Sequence, residues 1–67
     1  MTVDILCREL GRITYRVRSG NETYTALQDV VCGTWAVVDA RNRRMEDTRQ
    51  GSRVVAACES ARDTCET

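Results

Sequence analysis

Four cysteines carry the most reactive side chains of this 67-residue chain, and they could form disulfides, bind zinc or act as nucleophiles. They are Cys7, Cys32, Cys58 and Cys65. Four cysteines allow three disulfide pairings, but no secretory leader is apparent, so we expect reduced thiols. Zinc sites favour closely paired ligands, whereas the nearest two cysteines here are seven positions apart. We therefore predict no metal site and small, buried thiols that pack as apolar side chains.

The sequence contains no combination of residues that predicts catalysis. Histidine is absent, so the usual general base is missing and nothing would raise the thiolate fraction of a cysteine nucleophile. The familiar acid, base and metal combinations are missing as well, and no motif for a cofactor is present. We expect a protein that is not an enzyme, binds no cofactor and acts through its surface.

The acidic residues are the leading candidates for that surface. Ten arginines balance ten aspartates and glutamates, giving a formal net charge of zero, but residues 54–67 hold three acids against one arginine. On a helix these three acids fall within roughly 60° of arc, at about 100° per residue. Two more acids precede the helix, and an ordinary solvated face is the alternative interpretation. The candidate partner-binding residues are Glu46, Asp47, Glu59, Asp63 and Glu66.

The arginines permit the opposite hypothesis. One group lies on the outward face of a predicted strand and another crowds one turn, and guanidinium groups bind phosphates well. The two groups are Arg12, Arg16 and Arg18, and Arg41, Arg43 and Arg44. A sequence pI of about 6.2, one tryptophan and two tyrosines argue against direct nucleic-acid binding. Local ion pairs on a solvated sheet face are the plainer interpretation of these arginines.

Glycines divide the chain into the elements that must position these residues. The segment from Val3 to Leu10 predicts a short helix with Thr2 as its cap, although alternation of its apolar residues also fits a strand. Residues 12–18 alternate strictly and predict a strand, followed by a turn at residues 19–22 and a returning strand. Residues 26–32 fit a short helix behind a capping-box pattern, with a longer strand through residue 31 left open.

The second half of the chain predicts a hairpin and a helix. The pattern predicts a strand from Trp35 to Asp39 and a turn at residues 40–43. It then predicts an edge strand from Arg44 to Thr48. Ser52 is placed to cap a helix over Arg53 to Cys65. The apolar stripe of that helix is Val54, Cys58, Ala61 and Cys65.

These elements predict one small α+β domain over residues 1–67. It would be an antiparallel sheet of three to four strands with the C-terminal amphipathic helix and one or two short helices packed on it. Trp35, Tyr15 and Tyr24 would fill the core, because the chain has no phenylalanine.

In format the chain resembles the small phage-encoded inhibitors known as anti-CRISPR proteins, which are single α+β domains without enzyme motifs. The resemblance covers the whole chain and rests on no diagnostic residues. It implies a non-enzymatic inhibitor in the cytoplasm of a bacterial host, where a DNA-mimicking face would block DNA binding by a CRISPR effector. The five candidate acids would then meet basic residues that read DNA. DNA mimics are commonly strongly acidic, whereas this chain is neutral.

The remaining expectations concern assembly and membranes. A mean hydropathy of −0.43 and the lack of a long apolar run predict no membrane span. We expect a monomer rather than a homodimer, and an Arg-mediated nucleic-acid-binding accessory protein is the alternative function. A subunit that dimerises through an exposed sheet edge or through the Trp35 strand is a third hypothesis.

Overall fold

The computed structural model describes the backbone of residues 1–66 and the side chains of residues 1–63. Four antiparallel strands, hydrogen-bonded in chain order, precede one helix that packs on a single face of the sheet. The elements are β1 (Thr2–Glu9), β2 (Arg12–Ser19), β3 (Glu22–Asp29), β4 (Thr34–Val38) and α1 (Arg49–Glu66). The predicted α+β class is therefore confirmed, with four strands in the sheet.

The core lies between α1 and the buried face of β2 and β3. β2 contributes Ile13, Tyr15 and Val17, the positions that the alternation of this strand predicts. Tyr15 is fully buried, and its ring stacks on the half-buried ring of Trp35 with centroids 5.4 Å apart. Aromatic side chains thus fill the centre of the core, as the lack of phenylalanine predicts.

The helix predicted from Val3 to Leu10 is wrong, because this segment forms the edge strand β1. The open alternative of a strand is the correct one. Val3 and Ile5 pack against the core, and the pairing with β2 shifts at Leu6, which forms a β-bulge. A helix would have needed Leu6 and Leu10 on its buried side, yet both are exposed. The helical period rested on Val3, Leu6, Cys7 and Leu10, and of these only Val3 packs against the core.

The helix predicted over residues 26–32 is also wrong. β3 continues to Asp29, so the alternative of a longer strand is correct, although the strand ends before Val31. Asp29 ends it, because its Oδ1 accepts hydrogen bonds of 3.0 Å from the backbone N–H groups of both Val31 and Cys32. In the same turn the Gly33 N–H donates a 2.8 Å hydrogen bond to the Asp29 carbonyl, and the chain returns into β4.

The edge strand predicted from Arg44 to Thr48 is reduced to one β-bridge, between Arg44 and Val38. The turn before it is confirmed: Asp39 Oδ1 accepts hydrogen bonds from the N–H groups of Arg41 and Arg43. After Arg44 the chain leaves the sheet, because it must cross to the start of α1.

The last helix begins four residues earlier than predicted. Thr48, not Ser52, is its N-cap, since Thr48 Oγ1 accepts a 3.0 Å hydrogen bond from the N–H of Gly51. Val54 and Cys58 are fully buried, which confirms the first half of the predicted stripe. Ala61 is half-buried, and the side chain of Cys65 lies outside the described residues. No helix within residues 1–66 is long and apolar enough to cross a membrane.

Candidate functional site

Two of the candidate acids lie together on the outer side of α1. Glu59 and Asp63 are both exposed and stand one helical turn apart, at a spacing that brings their Cβ atoms to about 5–6 Å. The Arg62 guanidinium lies 3.9 Å from the Asp63 carboxylate, and the Asp63 side chain stays 73% exposed. Glu66 belongs to the same helix, but its side chain lies outside the described residues.

The other two candidate acids lie before the helix and do not join this pair. Glu46 is mostly buried and forms a salt bridge with Arg44. Its pKa is lowered, chiefly by a hydrogen bond from its own backbone N–H and then by the Arg44 guanidinium. Asp47 is exposed. At 1.5 Å per residue, the start of α1 and Asp63 are about 21 Å apart along the helix axis, so the acids form two separate groups.

The thiols differ from one another. Cys58 is buried in the core, as predicted, and burial, with a smaller effect of the Glu59 charge, raises the pKa of its thiol to about 12. Cys7 and Cys32 are exposed, so the prediction that they are buried is wrong. The three are free, and among the described side chains no group of three or more cysteines and acids is placed to hold a metal ion.

The second candidate surface is the face of the sheet opposite α1, here called the uncovered face. Its residues form rows that run across the strands, and each row is fixed by the strand register. The middle row is Cys7, Thr14, Leu27 and Ala36. The end row is Glu9, Arg12, Asp29 and Thr34, and the row on the other side of the middle row is Asp4, Arg16, Thr25 and Val38.

The arginines of the uncovered face are exposed, but each has a carboxylate on a neighbouring strand. Arg18 forms a 3.3 Å salt bridge with Asp4, in which both side chains remain about half exposed. Arg12 lies between Glu9 and Asp29 in the end row. The pKa of Asp29 is lowered, first by the hydrogen bond from the Cys32 N–H and to a smaller extent by the charge of Arg12. The face therefore alternates in charge and is not a basic patch.

An exposed apolar cluster at one end of the sheet was missed by the sequence analysis. We call it the apolar tip: Leu10, Val30 and Val31, which are 106%, 51% and 84% exposed. The loops that carry it are joined by a 2.9 Å hydrogen bond from the Val30 N–H to the Gly11 carbonyl. Val31 and Leu10 also line a shallow groove with Arg12 of the end row. The sequence held a signal, because Leu10 directly precedes Gly11, Val31 lies two positions before Gly33, and connecting turns run over the protein surface.

The second arginine group is held by local contacts. The Arg43 Nε donates to Asp39 Oδ2 at 3.2 Å, and Arg44 is paired with Glu46 as described above. The pKa of Asp39 is lowered chiefly by the hydrogen bond from the Arg43 N–H. Arg41 alone of this group forms no salt bridge within the described side chains. Local ion pairing, the plainer interpretation of this group, describes two of its three members.

Comparison of the chain with protein-family models, with curated proteins and with solved structures finds no match.

Proposed function

We propose that this protein is a non-enzymatic, phage-type inhibitor that binds a bacterial host protein complex and blocks DNA binding by a CRISPR effector. The observation that carries the proposal is the pair of exposed carboxylates, Glu59 and Asp63, on the outer side of α1. Their counterpart would be a groove of lysines and arginines that normally holds the phosphates of DNA, in the cytoplasm of the host.

We expect the two carboxylates to destabilise the helix that carries them. Like charges four positions apart on a helix destabilise it by about 0.2–0.5 kcal/mol. Asp63 also lies in the last turn, at the negative end of the helix dipole, where cations are the favoured residues and α1 has none. Arg49 and Arg53 occupy the positive end, so the charge order along α1 is reversed relative to its dipole. A basic partner would relieve both costs at Glu59 and Asp63.

The acids are also well placed to meet a partner. They are on the side of α1 that faces away from the sheet, and the described salt bridges take up only one of them, loosely, through Arg62. Two carboxylates one helical turn apart present a short row of negative charge, which is the feature of nucleic acid that basic side chains recognise. Glu66 would extend this row, and Glu46, held by Arg44, is the weakest of the five candidates.

The test is a charge reversal in a reconstituted assay. Purified CRISPR effector complexes of several types, loaded with guide RNA, are mixed with the protein and then with a fluorescent target duplex, and bound DNA is measured. We expect the wild-type protein to lower DNA occupancy of one effector type, and E59R/D63R to lose this effect because it repels the basic groove.

The matched control is E9R/E22R, which makes the same change in net charge at two exposed acids away from α1. It should inhibit like the wild type. Equal inhibition by E59R/D63R and the wild type would eliminate mimicry by this face, while leaving inhibition through another surface to be mapped.

A second candidate function, an Arg-mediated nucleic-acid-binding accessory protein, is favoured by one observation. Arg12, Arg16 and Arg18 occupy one side of β2 on the uncovered face, where no element of the described chain lies over them. It stands second because each arginine has a neighbouring carboxylate, and a neutral surface releases few counterions when it meets phosphate.

Salt dependence distinguishes this candidate from the first. Direct binding to a labelled duplex or single strand would weaken steeply with salt, and R12A/R16A would reduce the slope of log K against log salt by about 1.8 for a duplex, at about 0.9 for each phosphate contact. Absence of binding at about 20 mM salt would rule this candidate out.

A further inference from the structure

The uncovered face combines three properties that together define what it can bind. No element of the described chain covers it, its charges alternate across neighbouring strands, and its middle row is uncharged. An extended polyanion would meet Asp4, Glu9 and Asp29 as often as it met arginine. A surface with the same alternation can satisfy both signs at once, and a second copy of the chain carries such a surface.

Two arrangements can stack two copies of this face about a two-fold axis between the sheets. With the axis across the strands, β2 lies over β2 and rows from opposite ends meet, so that Arg12 faces Arg16 and Asp4 faces Glu9 of the second copy. With the axis along the strands, β2 lies over β3 of the second copy, and each row lies over the equivalent row of the second copy. Arg12 then faces Asp29 of the second copy, twice, and no like charges face each other.

The apolar tip agrees with the second arrangement. Its two loops lie at the end-row end of the sheet and are joined through the Val30 N–H and the Gly11 carbonyl. With the axis along the strands, the β1–β2 loop of one copy lies over the β3–β4 loop of the other. Leu10 would therefore meet Val30 and Val31 of the second copy, again twice. This contact would remove from water the two most exposed large apolar side chains of the described residues, Leu10 and Val31.

We propose that the uncovered face forms a two-fold homodimer, with the axis parallel to the strands between β2 and β3, with reciprocal Arg12–Asp29 pairs and with the apolar tips in contact. The sequence alone favoured a monomer. The face is about 26 Å along its eight-residue strands and about 19 Å across, which makes the dimer small and weak. α1 lies on the far side of each sheet, so the dimer leaves Glu59 and Asp63 accessible and does not depend on the proposed inhibitory function.

Sedimentation velocity over about 10 µM to 1 mM tests the dimer, since weak interfaces associate in this range. The wild type should shift from monomer to dimer. R12D places like charges opposite Asp29 and should weaken dimerisation at least tenfold. L27K puts two cations near the axis in the middle row and should do the same without touching the ion pair. R12D/D29R restores opposite charges and should recover the dimer, and R49D, on the outer side of α1, should dimerise like the wild type.

Circular dichroism establishes that each variant is folded, because Asp29 also holds the turn after β3. If R12D or R12D/D29R is unfolded, the test of the dimer rests on L27K alone. A wild-type protein that stays monomeric up to 1 mM would overturn the proposal, and so would a dimer that persists unchanged in L27K. A dimer that L27K weakens but R12D does not would overturn the assignment of the axis.

Discussion

At the scale of single residues, the described cysteines should differ in reactivity because they differ in burial. Burial raises the pKa of the Cys58 thiol to about 12, whereas Cys7 and Cys32 are exposed. We expect iodoacetamide at pH 8 to modify Cys7 and Cys32 in the folded protein and to reach Cys58 only after denaturation, as read by mass spectrometry of peptides. Modification of Cys58 at the rate of Cys7 would contradict its place in the core.

Tyr15 and Gln28 form the polar contact inside the core. The Tyr15 hydroxyl donates a 2.8 Å hydrogen bond to Gln28 Oε1, and Gln28 is buried. Tyr15→Phe leaves this acceptor without that donor, so the free energy of unfolding should fall by about 1–3 kcal/mol in urea denaturation. Tyr24→Phe removes a hydroxyl from the other core tyrosine and should cost less. Equal losses in the two variants would show that the hydrogen bond contributes nothing specific.

At the scale of elements, the start of α1 depends on Gly51. A Cβ at this position would lie 1.9 Å from the Met45 carbonyl oxygen, so the loop before the helix can approach only a glycine. We expect Gly51→Ala to lower the free energy of unfolding by about 3 kcal/mol, since backbone atoms must move. Gly20→Ala is the control: its Cβ would meet nothing, and the positive φ of 61° should cost only about 1–2 kcal/mol. If Gly20→Ala were the more damaging change, the close approach at Met45 would be refuted.

The elements also separate what the sequence could predict from what it could not. The period of two in β2 and the stripe of α1 are long enough to identify each element, and the α+β class follows from them. In β1 and in residues 26–32, the helical spacing counts Leu6, Cys7, Leu10, Val30 and Val31 as core, whereas all five are exposed and three of them form the apolar tip. Tertiary context decided these two segments, because hairpin pairing with β2 satisfies their backbones better than an isolated short helix could.

The candidate site, like the fold, was predictable from the sequence only in part. The placement of Glu59 and Asp63 on the outer side of α1 follows from helical geometry, and the structure agrees. The pairing of Glu46 with Arg44 was not predictable, because it depends on a loop that was expected to be a strand. The uncovered face was not predictable either. Short helices were expected to pack on the sheet, but the segments predicted to form them belong to strands of the sheet or to the turn after β3.

At the scale of the whole molecule, three carboxylates in turns and loops should make stability fall in acid. Asp29, Asp39 and Glu46 all have lowered pKa values, chiefly through backbone hydrogen bonds. The unfolded chain, with ordinary values of 3.8 to 4.5, therefore binds protons at a higher pH than the folded chain does. The stabilisation that these three carboxylates contribute is fully present above about pH 4.5, and it is lost as the pH falls through their lowered pKa values in the folded chain. Urea denaturation from pH 7 to about pH 2.5 should show this decline, with a smaller decline in D39N; constant stability would contradict the hydrogen-bonded turns.

The central claim is that Glu59 and Asp63 serve a partner and not the fold. Its most direct measurement is the free energy of unfolding of E59Q/D63N against the wild type at low ionic strength. Removing two repelling charges near the negative end of α1 should raise that free energy by about 0.5–1 kcal/mol, and added salt should erase the gain. A loss of stability in E59Q/D63N would contradict the account, since the carboxylates would then be holding the helix in place.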